Sequence, residues 1–265
     1  MKNFKDVAFE AAHAAADILM SRFGELEQAD VQSKQQFDFV TEVDKASEER
    51  IIHVIRDTFP EHQIYAEESH RQEGGSHRWI IDPLDGTTNY IHGVPIFSVS
   101  IALQVNQTMV LGLVYDPNRD EMFYGETGKG AFLNDQPIRV SDVSTPELAL
   151  LATGYPFRVK HHIDVYQRSF KELFHHVSGI RRAGSAALDL AYIACGRYDG
   201  FWELDLKPWD IAGAMVVLQE AGGSITDFAG GDAMLHTGNT IASNRLLHPM
   251  LVDIVKRVFQ GTVDK

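Results

Sequence analysis

The stretch WIIDPLDGTTNY, residues 79–90, places two aspartates three residues apart where an apolar run meets a turn. The apolar start of this stretch predicts the end of a buried strand, and Pro83 stops the strand because it lacks a backbone N–H and fixes φ. The turn folds Asp82 and Asp85 back together. Because Mg²⁺ prefers carboxylate and carbonyl oxygens, these two side chains and the carbonyl of Leu84 are candidate metal ligands.

The residues after Asp85 predict an anion site beside that cation. Gly86, Thr87 and Thr88 open a predicted helix, whose free amides and positive dipole end would bind a phosphate oxygen. A structural interpretation competes with this one, because Asp-Pro and Asp-Gly pairs are ordinary turn residues and most such strings bind nothing. Whether this stretch binds a metal or is only a turn therefore depends on whether other acidic residues of the chain could complete a metal site.

Composition limits the class of protein. With 265 residues, 44% hydrophobic and 23% charged, the chain can form a full core and approaches the upper size of one domain. Its formal charge of -13 argues against nucleic acid or an anionic membrane as the main partner. An acidic protein that binds an anionic substrate needs a counter-charge, and bound divalent cations are the simplest source.

The N-terminus and the single cysteine indicate the compartment. Residues 1–23 carry apolar side chains near helical spacing together with acids, which predicts an amphipathic helix rather than a signal peptide. No other segment approaches the apolar length needed to span a bilayer. Cys195 has no partner for an internal disulfide, as is typical of a reducing environment. We expect a cytoplasmic protein that does not enter a membrane.

The order of hydrophobic patterns predicts an α+β protein. A second helix over residues 41–59 begins at a capping box formed by Thr41 and Asp44. Residues 97–140 predict antiparallel hairpins, and strands alternate with helices in the second half of the chain. Since there is neither a low-complexity linker nor an internal repeat, we predict a single domain over residues 1–265, with an α+β lobe at about 1–143 and an α/β lobe at about 144–265.

Three further carboxylates have both a functional and a structural interpretation. Glu67 follows a short predicted strand and is either a candidate ligand or a solvated loop acid. Asp210 begins an apolar helix, where aspartate is also a favoured N-cap, and Gly222 would stop the same helix. Asp44 could do no more than complete its capping box. Spacing alone leaves these alternatives open.

Five sequence motifs follow one another along the chain. They are DFVTEVD (38–44), AEES (66–69), DPLDGTTNY (82–90), GSAALDLAYIACGRYDGFWE (184–203) and PWDIAGAMVVLQEAGG (208–223). In this order they resemble the inositol monophosphatases of the lithium-sensitive, Mg²⁺-dependent phosphatase superfamily, and the fourth is most similar to the bacterial extragenic-suppressor branch. The resemblance covers nearly the whole chain. It implies a layered αβαβα sandwich, as in the inositol monophosphatase and fructose-1,6-bisphosphatase superfamily.

The resemblance implies two Mg²⁺ ions and adds a third, weaker one. Glu67, Asp82 and the Leu84 carbonyl would hold the first ion. Asp82, Asp85 and Asp210 would hold the second, so that Asp82 bridges the two. The third ion would lie near Glu67 and bind through waters. Two bridged cations can neutralise a phosphate ester and stabilise the departing alkoxide without a covalent intermediate.

The resemblance also implies which groups act on the nucleophile, a metal-bound water. Thr87, paired with Asp44, would orient this water together with Glu67. The amides of Gly86 and Thr87 would bind phosphate oxygens. Lys34 aligns with a family lysine near the metal-binding water network.

For the alcohol part of the substrate, the resemblance implies a polar wall. Carboxylates and backbone groups suit a polyol because each hydroxyl both donates and accepts a hydrogen bond. Glu203 has an alternative interpretation as an exposed strand acid. The residues expected on this wall are Asp85, Glu203, Asp210 and the segment Gly184, Ser185, Ala186.

Two departures from the family pattern have expected consequences. Ala66 replaces the usual glycine of G-E-E-S, so the backbone before Glu67 must accept a Cβ and the third metal site is the one most affected. In WDIAGAM the alanine and glycine are exchanged relative to the usual order. Gly213 therefore comes one residue early and is expected to alter helix packing behind Asp210.

These observations predict a Mg²⁺-dependent phosphomonoester hydrolase that acts on inositol 1-phosphate and related polyol monophosphates, is sensitive to lithium and forms a homodimer. Because the metal site recognises only the phosphate, four rival substrates share the same chemistry: fructose 1,6-bisphosphate, 3′-phosphoadenosine 5′-phosphate, NADP⁺ and histidinol phosphate. An alternative from another class is a regulatory protein that retains the metal site and binds a protein partner through its surface.

Overall fold

The computed structural model describes residues 2–26, 31–35, 38–69 and 75–262, with the backbone alone for residues 31–35, 38 and 39. Helix α1 (Phe4–Arg22) begins at a capping box, and strands β1 (Val31–Gln35) and β2 (Asp38–Thr41) form a small antiparallel sheet. Helix α2 (Glu42–Thr58) follows at once. Its N-cap is Thr41, whose backbone N–H donates to Asp44, so the predicted capping box is confirmed.

A seven-stranded sheet occupies the middle of the first half. Its strands follow chain order, with one parallel pair at the edge and antiparallel pairs elsewhere, which confirms the predicted hairpins. The strands are β3 (Gln63–Ala66), β4 (His77–Asp85), β5 (Ser98–Val105), β6 (Thr108–Asp116), β7 (Glu121–Glu126), β8 (Gly130–Leu133) and β9 (Gln136–Ile138). The short helix α3 (Thr87–Ile91) separates β4 from β5.

Strand β4 corrects one prediction, because it does not stop at Pro83. Pairing with β5 runs regularly to Asp82, skips two residues and resumes at Asp85, which leaves one extra residue in β4. This bulge tolerates Pro83, since a residue outside the ladder needs no backbone donor. The bulge also turns both aspartates to the end of the sheet.

A five-stranded sheet lies in the second half. Its order is β11-β10-β12-β14-β13, where β14 runs antiparallel to both neighbours and the other pairs are parallel. Its strands are β10 (Leu150–Thr153), β11 (Gly179–Arg181), β12 (Gly200–Glu203), β13 (Ser224–Thr226) and β14 (Thr240–Ser243). The three residues of β11 are too few to show a periodic pattern, so the sequence did not reveal this strand.

Five helices complete the layers: α4 (Ile163–Phe174), α5 (Ala186–Ala194), α6 (Pro208–Glu220), α7 (Met234–Thr237) and α8 (His248–Phe259). Helices α1 and α2 pack on one face of the seven-stranded sheet, and α5 and α6 fill the space between the two sheets. Helices α4 and α8 cover the outer face of the five-stranded sheet. This order of layers confirms the αβαβα sandwich.

The central helix α6 approaches the seven-stranded sheet unusually closely. A Cβ built on Gly112 of β6 would lie 2.1 Å from the Gly213 carbonyl oxygen, and one built on Gly213 would lie 2.7 Å from the Leu113 carbonyl oxygen. Only glycine fits at these two positions, because atoms at such distances overlap. The displaced glycine of the WDIAGAM motif therefore sets how α6, and with it Asp210, lies against the sheet.

Candidate active site

The bulge in β4 places two carboxylates at the end of the sheet. Asp82 is buried, and its Oδ1 accepts a hydrogen bond from the Leu84 N–H at 3.0 Å. Asp85 Oδ2 accepts from Ser185 Oγ at 2.5 Å and from the Ala187 N–H at 2.8 Å. The first turn of α5 therefore fixes Asp85, and the segment predicted to face the substrate also orients this predicted ligand.

Asp210 lies in the first turn of α6 rather than at its N-cap. The helix begins at Pro208, and Asp210 Oδ2 accepts a hydrogen bond from the Lys207 N–H at 2.7 Å. The simple N-cap interpretation is therefore wrong in position. Ligand atoms of Asp82, Asp85 and Asp210 all lie within 4.8 Å of one another, a spacing that one cation can bridge.

Electrostatics show that this cluster has too little counter-charge, because the Arg158 guanidinium beside Asp210 is outnumbered by the buried acids. Burial first, then repulsion by Glu67 and the other acids, raises the pKa of Asp82 well above its usual range. Burial and the Asp210 carboxylate raise the pKa of Asp85 to about 7, and burial also raises the pKa of Asp210. Within the described parts of the chain, Asp82 Oδ2 is buried without a hydrogen-bond partner. A divalent cation with oxygen ligands fits this donor set.

Glu67 follows β3, the strand paired with β4, and lines the same cavity, but it is not one of the three residues whose ligand atoms lie within 4.8 Å of one another. Its N–H donates to the Ile81 carbonyl at 3.2 Å, and its carboxylate adds to the effect of burial in raising the pKa of both Asp82 and Asp44. Ala66 is buried at the end of β3, so the structure accommodates the extra Cβ. The buried Glu48 of α2 accepts hydrogen bonds from the N–H of Glu68 and from Ser69 Oγ. Sequence reasoning missed this anchor of the Glu67 loop.

Thr87 and Asp44 are in contact, as predicted. Thr87 Oγ1 lies 3.1 Å from Asp44 Oδ1 and 3.1 Å from the Leu84 carbonyl oxygen, and its single hydrogen can serve only one of them at a time. Asp44 Oδ2 accepts from the N–H and the hydroxyl of Thr41 at 2.9 Å and 2.5 Å. One carboxylate thus caps α2 and also orients Thr87.

The helix predicted after Asp85 is only the five-residue α3, so its dipole is weaker than the prediction assumed. Gly86 precedes it with φ of 103°, and a Cβ there would lie 3.0 Å from the Ile96 carbonyl oxygen. Gly86 and Thr87 both line the cavity described below. Any anion binding at this turn therefore depends on individual amides.

These groups open into a cavity of about 280 Å³ that also contains the predicted alcohol-binding residues Gly184, Ser185, Ala186 and Glu203. Glu203 is buried at the end of β12, so its interpretation as an exposed strand acid is wrong. Burial, with the Asp210 carboxylate next, raises the pKa of Glu203 to about 8. A Cβ on Gly154 would lie 1.9 Å from the Glu203 carboxyl carbon. Because Gly154 has no side chain, the Glu203 carboxylate fits beside its backbone.

Sequence reasoning missed three charged residues of the cavity wall: Arg158, Arg182 and Asp189. Arg158 Nη1 lies 3.9 Å from Asp210 Oδ2, and the Arg182 guanidinium lies 5.2 Å from the ring centroid of Tyr155. The two arginines lie outside helices and strands, where no periodic pattern marks them. The only sequence signal for them was that an acidic protein needs positive charge to bind an anionic substrate. Helical spacing could have identified Asp189, four residues after Ser185.

Lys34 is the one predicted site residue whose side chain lies outside the described part of the structure. Its backbone belongs to β1. Among the described residues, no helix combines the length and apolar character needed to cross a membrane. The remaining predicted residues line one cavity, except Asp44, which contacts the cavity residue Thr87.

Comparison with known proteins identifies the family. The model of the inositol monophosphatase family matches residues 1–260. Nus factor SuhB of Pseudomonas aeruginosa is 43% identical over 250 residues, 92% of each chain. The fructose-1,6-bisphosphatase/inositol-1-monophosphatase of Aquifex aeolicus is 39% identical over 264 residues, 99% of each chain. The crystal structure of extragenic suppressor protein SuhB from Bartonella henselae superposes with a TM-score of 0.92 at 40% identity, covering 97% of this chain and 98% of that one. The chain therefore belongs to the inositol monophosphatase family of phosphatases.

Proposed function

We propose that the protein is a Mg²⁺-dependent phosphatase that hydrolyses inositol 1-phosphate and related small polyol monophosphates. The observation that carries this proposal is the position of three buried carboxylates within 4.8 Å of one another, beside the Thr87–Asp44 pair and open to a polar cavity. The Aquifex aeolicus relative is named fructose-1,6-bisphosphatase/inositol-1-monophosphatase, which supports inositol monophosphate as a substrate and keeps fructose 1,6-bisphosphate as a rival.

Two or three Mg²⁺ ions would be held by the clustered oxygens. Glu67, Asp82 and the Leu84 carbonyl suit one ion, Asp82, Asp85 and Asp210 suit a second, and the surroundings of Glu67 suit a third. Bound there, Mg²⁺ would stabilise charge on the phosphate oxygens and lower the pKa of the attacking water.

The protein's own groups would position the reactants. When Thr87 donates its hydrogen to Asp44, its oxygen remains free to accept one from the attacking water, and Glu67, which lines the same cavity, would help to orient that water. The N–H groups of Gly86 and Thr87 would hold phosphate oxygens, and Lys34 would act in the surrounding water network. Thr87 orients the nucleophile rather than attacking itself.

The far wall of the cavity would bind the alcohol. Asp85, Glu203 and Asp210, with the Gly184–Ala186 segment, offer hydrogen-bond partners for several hydroxyls. The cavity volume of about 280 Å³ accommodates a small polyol, and the substrate panel described next separates polyol esters from the adenine-containing rivals 3′-phosphoadenosine 5′-phosphate and NADP⁺.

Phosphate release tests the proposal. With Mg²⁺, the wild type should hydrolyse inositol 1-phosphate, Asp82→Asn should be inactive, and Li⁺ should inhibit. A panel with fructose 1,6-bisphosphate, 3′-phosphoadenosine 5′-phosphate, NADP⁺ and histidinol phosphate identifies the preferred alcohol. Activity that persists after complete removal of divalent metal would contradict the mechanism, and a strong preference for a rival would contradict only the substrate.

A second candidate function is a regulatory role through a protein partner, supported by the SuhB relatives that are named Nus factors. Affinity capture with the Asp82→Asn protein separates binding from turnover, because partners of a regulatory surface should remain bound to the inactive variant.

We also propose a homodimer, as the family resemblance implies. Sedimentation with and without Mg²⁺ measures whether the protein is a monomer or a dimer in solution.

A further inference from the structure

Asp189 is a buried acid of the cavity that the proposed reaction does not use. Its side chain lines the cavity, is 1% exposed, and has an Oδ1 atom without a hydrogen-bond partner among the described residues. Leaving a buried polar atom unpaired costs stability, and native proteins satisfy the great majority of such atoms with protein, water or ligand. A purely structural role would be served better by an apolar side chain.

The position of Asp189 points to the substrate side of the site. It lies on α5, four residues after Ser185, so both side chains occupy one face of the helix. Ser185 holds Asp85 at the edge of the metal cluster. Burial and then the Glu203 carboxylate raise the pKa of Asp189, whereas the Arg182 guanidinium lowers it. Asp189 therefore lies one helical turn after Ser185, the residue that holds the predicted ligand Asp85, and beside the charged groups of the wall proposed to bind the alcohol.

The chemistry of the missing partner follows from the carboxyl group. An ionised carboxylate only accepts hydrogen bonds, while a protonated one also donates. A hydroxyl can both donate and accept, so a polyol satisfies Asp189 in either protonation state. An ester whose alcohol carries no free hydroxyl leaves the buried oxygen unpaired.

We infer that Asp189 is a substrate-binding residue that selects esters of polyhydroxylated alcohols against esters without free hydroxyls. The inference rests on the proposed phosphatase function and adds a determinant of its substrate class. A site built to hydrogen-bond a hydroxyl discriminates strongly against analogues that lack it, because its polar group is then left unpaired.

The test compares kcat/KM for inositol 1-phosphate with kcat/KM for 4-nitrophenyl phosphate, whose alcohol has no free hydroxyl. Asp189→Leu, close in shape but apolar, should lower kcat/KM for inositol 1-phosphate about 10–100-fold and change that for 4-nitrophenyl phosphate by less than about 3-fold. Asp189→Asn keeps hydrogen-bonding atoms and should retain most of the discrimination. Thermal unfolding should show Asp189→Leu at least as stable as the wild type.

Asn118→Leu provides a matched control. Asn118 Nδ2 is likewise buried without a partner among the described residues, but Asn118 follows β6 and does not line the cavity. Its substitution should leave the ratio of the two kcat/KM values unchanged. Equal losses on both substrates in Asp189→Leu, or a clear loss of stability, would overturn the inference while the phosphatase function stands. A wild type that hydrolyses neither ester with Mg²⁺ would instead contradict the proposed function, and the inference with it.

Discussion

Thr87 Oγ1 lies 3.1 Å from Asp44 Oδ1 and so joins the turn after β4 to the first turn of α2. The same carboxylate accepts two hydrogen bonds from Thr41 through its other oxygen. Helix capping and the orientation of a hydroxyl beside the acidic cluster are therefore properties of one side chain. The structure shows the capping role of Asp44, its role in catalysis is a proposal, and experiments can separate the two.

The Asp44→Asn variant should lower kcat/KM for inositol 1-phosphate about 10–100-fold, because an amide is a weaker anchor for the Thr87 hydroxyl. Thr41→Ala is the matched control, since it removes the hydroxyl part of the cap but keeps the Thr41 N–H on Asp44 Oδ2 and the Thr87 contact on Asp44 Oδ1. Both variants should lose about 1 kcal/mol in urea unfolding, but Thr41→Ala should keep nearly full activity. Equal kcat/KM values in the two variants would show that Asp44 caps the helix and does not act in catalysis.

The Asp82→Asn variant should be more stable than the wild type without metal, and it should not gain stability from Mg²⁺ as the wild type does. In excess chelator it should unfold at a higher temperature than the wild type, because it removes one member of a repelling buried cluster. Addition of Mg²⁺ should raise the unfolding temperature of the wild type, since a ligand of the folded state stabilises it, but not that of the variant. Asp164→Asn, which removes an exposed carboxylate of α4, controls for net charge. A full Mg²⁺-induced shift in Asp82→Asn would place the ion elsewhere.

Metal-free protein should show a pH-dependent penalty from Asp85. Burial and the Asp210 carboxylate raise its pKa from 3.8 to about 7 in the folded state. As pH rises from about 4 to 7, the unfolded chain loses this proton while the folded state retains it, so stability falls, and the loss levels off above about pH 7. Its size is on the order of a few kcal/mol.

Comparison with Asp85→Asn isolates that penalty from the other titrating groups. In chelator, the variant should differ little in unfolding free energy from the wild type near pH 4 and become progressively more stable than it toward pH 8. Saturating Mg²⁺ should abolish the divergence, because the cation favours the ionised carboxylate. Parallel stability curves in chelator would show that Asp85 carries no such penalty.

Local chemistry explains which parts of the site were predictable. Asp82 and Asp85 flank Pro83, which marks a break in regular strand pairing, and Thr41 and Asp44 have the spacing of a capping box. Arg158 and Arg182 lie in loops that the fold brings to the cavity, so no short-range pattern marks them. The extension of β4 past Pro83 depends on its register with β5, a long-range property that the proline alone could not indicate.

Gly213→Ala should destabilise the protein and disturb catalysis together. The added Cβ would lie 2.5 Å from Ser100 Oγ and 2.7 Å from the Leu113 carbonyl oxygen, so α6 must move away from the sheet. Overpacking of this kind costs about 1–3 kcal/mol in urea unfolding. Because Asp210 lies one turn earlier on the same helix, kcat should also fall in the fraction that remains folded.

Gly179→Ala is the control for that prediction. Its added Cβ would contact Arg181 and Leu150 at 3.4 Å, an ordinary packing distance, so the free energy of unfolding should change by less than about 1 kcal/mol. Activity should remain at the wild-type level, since β11 lies at the edge of the five-stranded sheet. If Gly213→Ala were as well tolerated as Gly179→Ala, the close contact between α6 and β6 would not be what fixes Asp210 in the cluster.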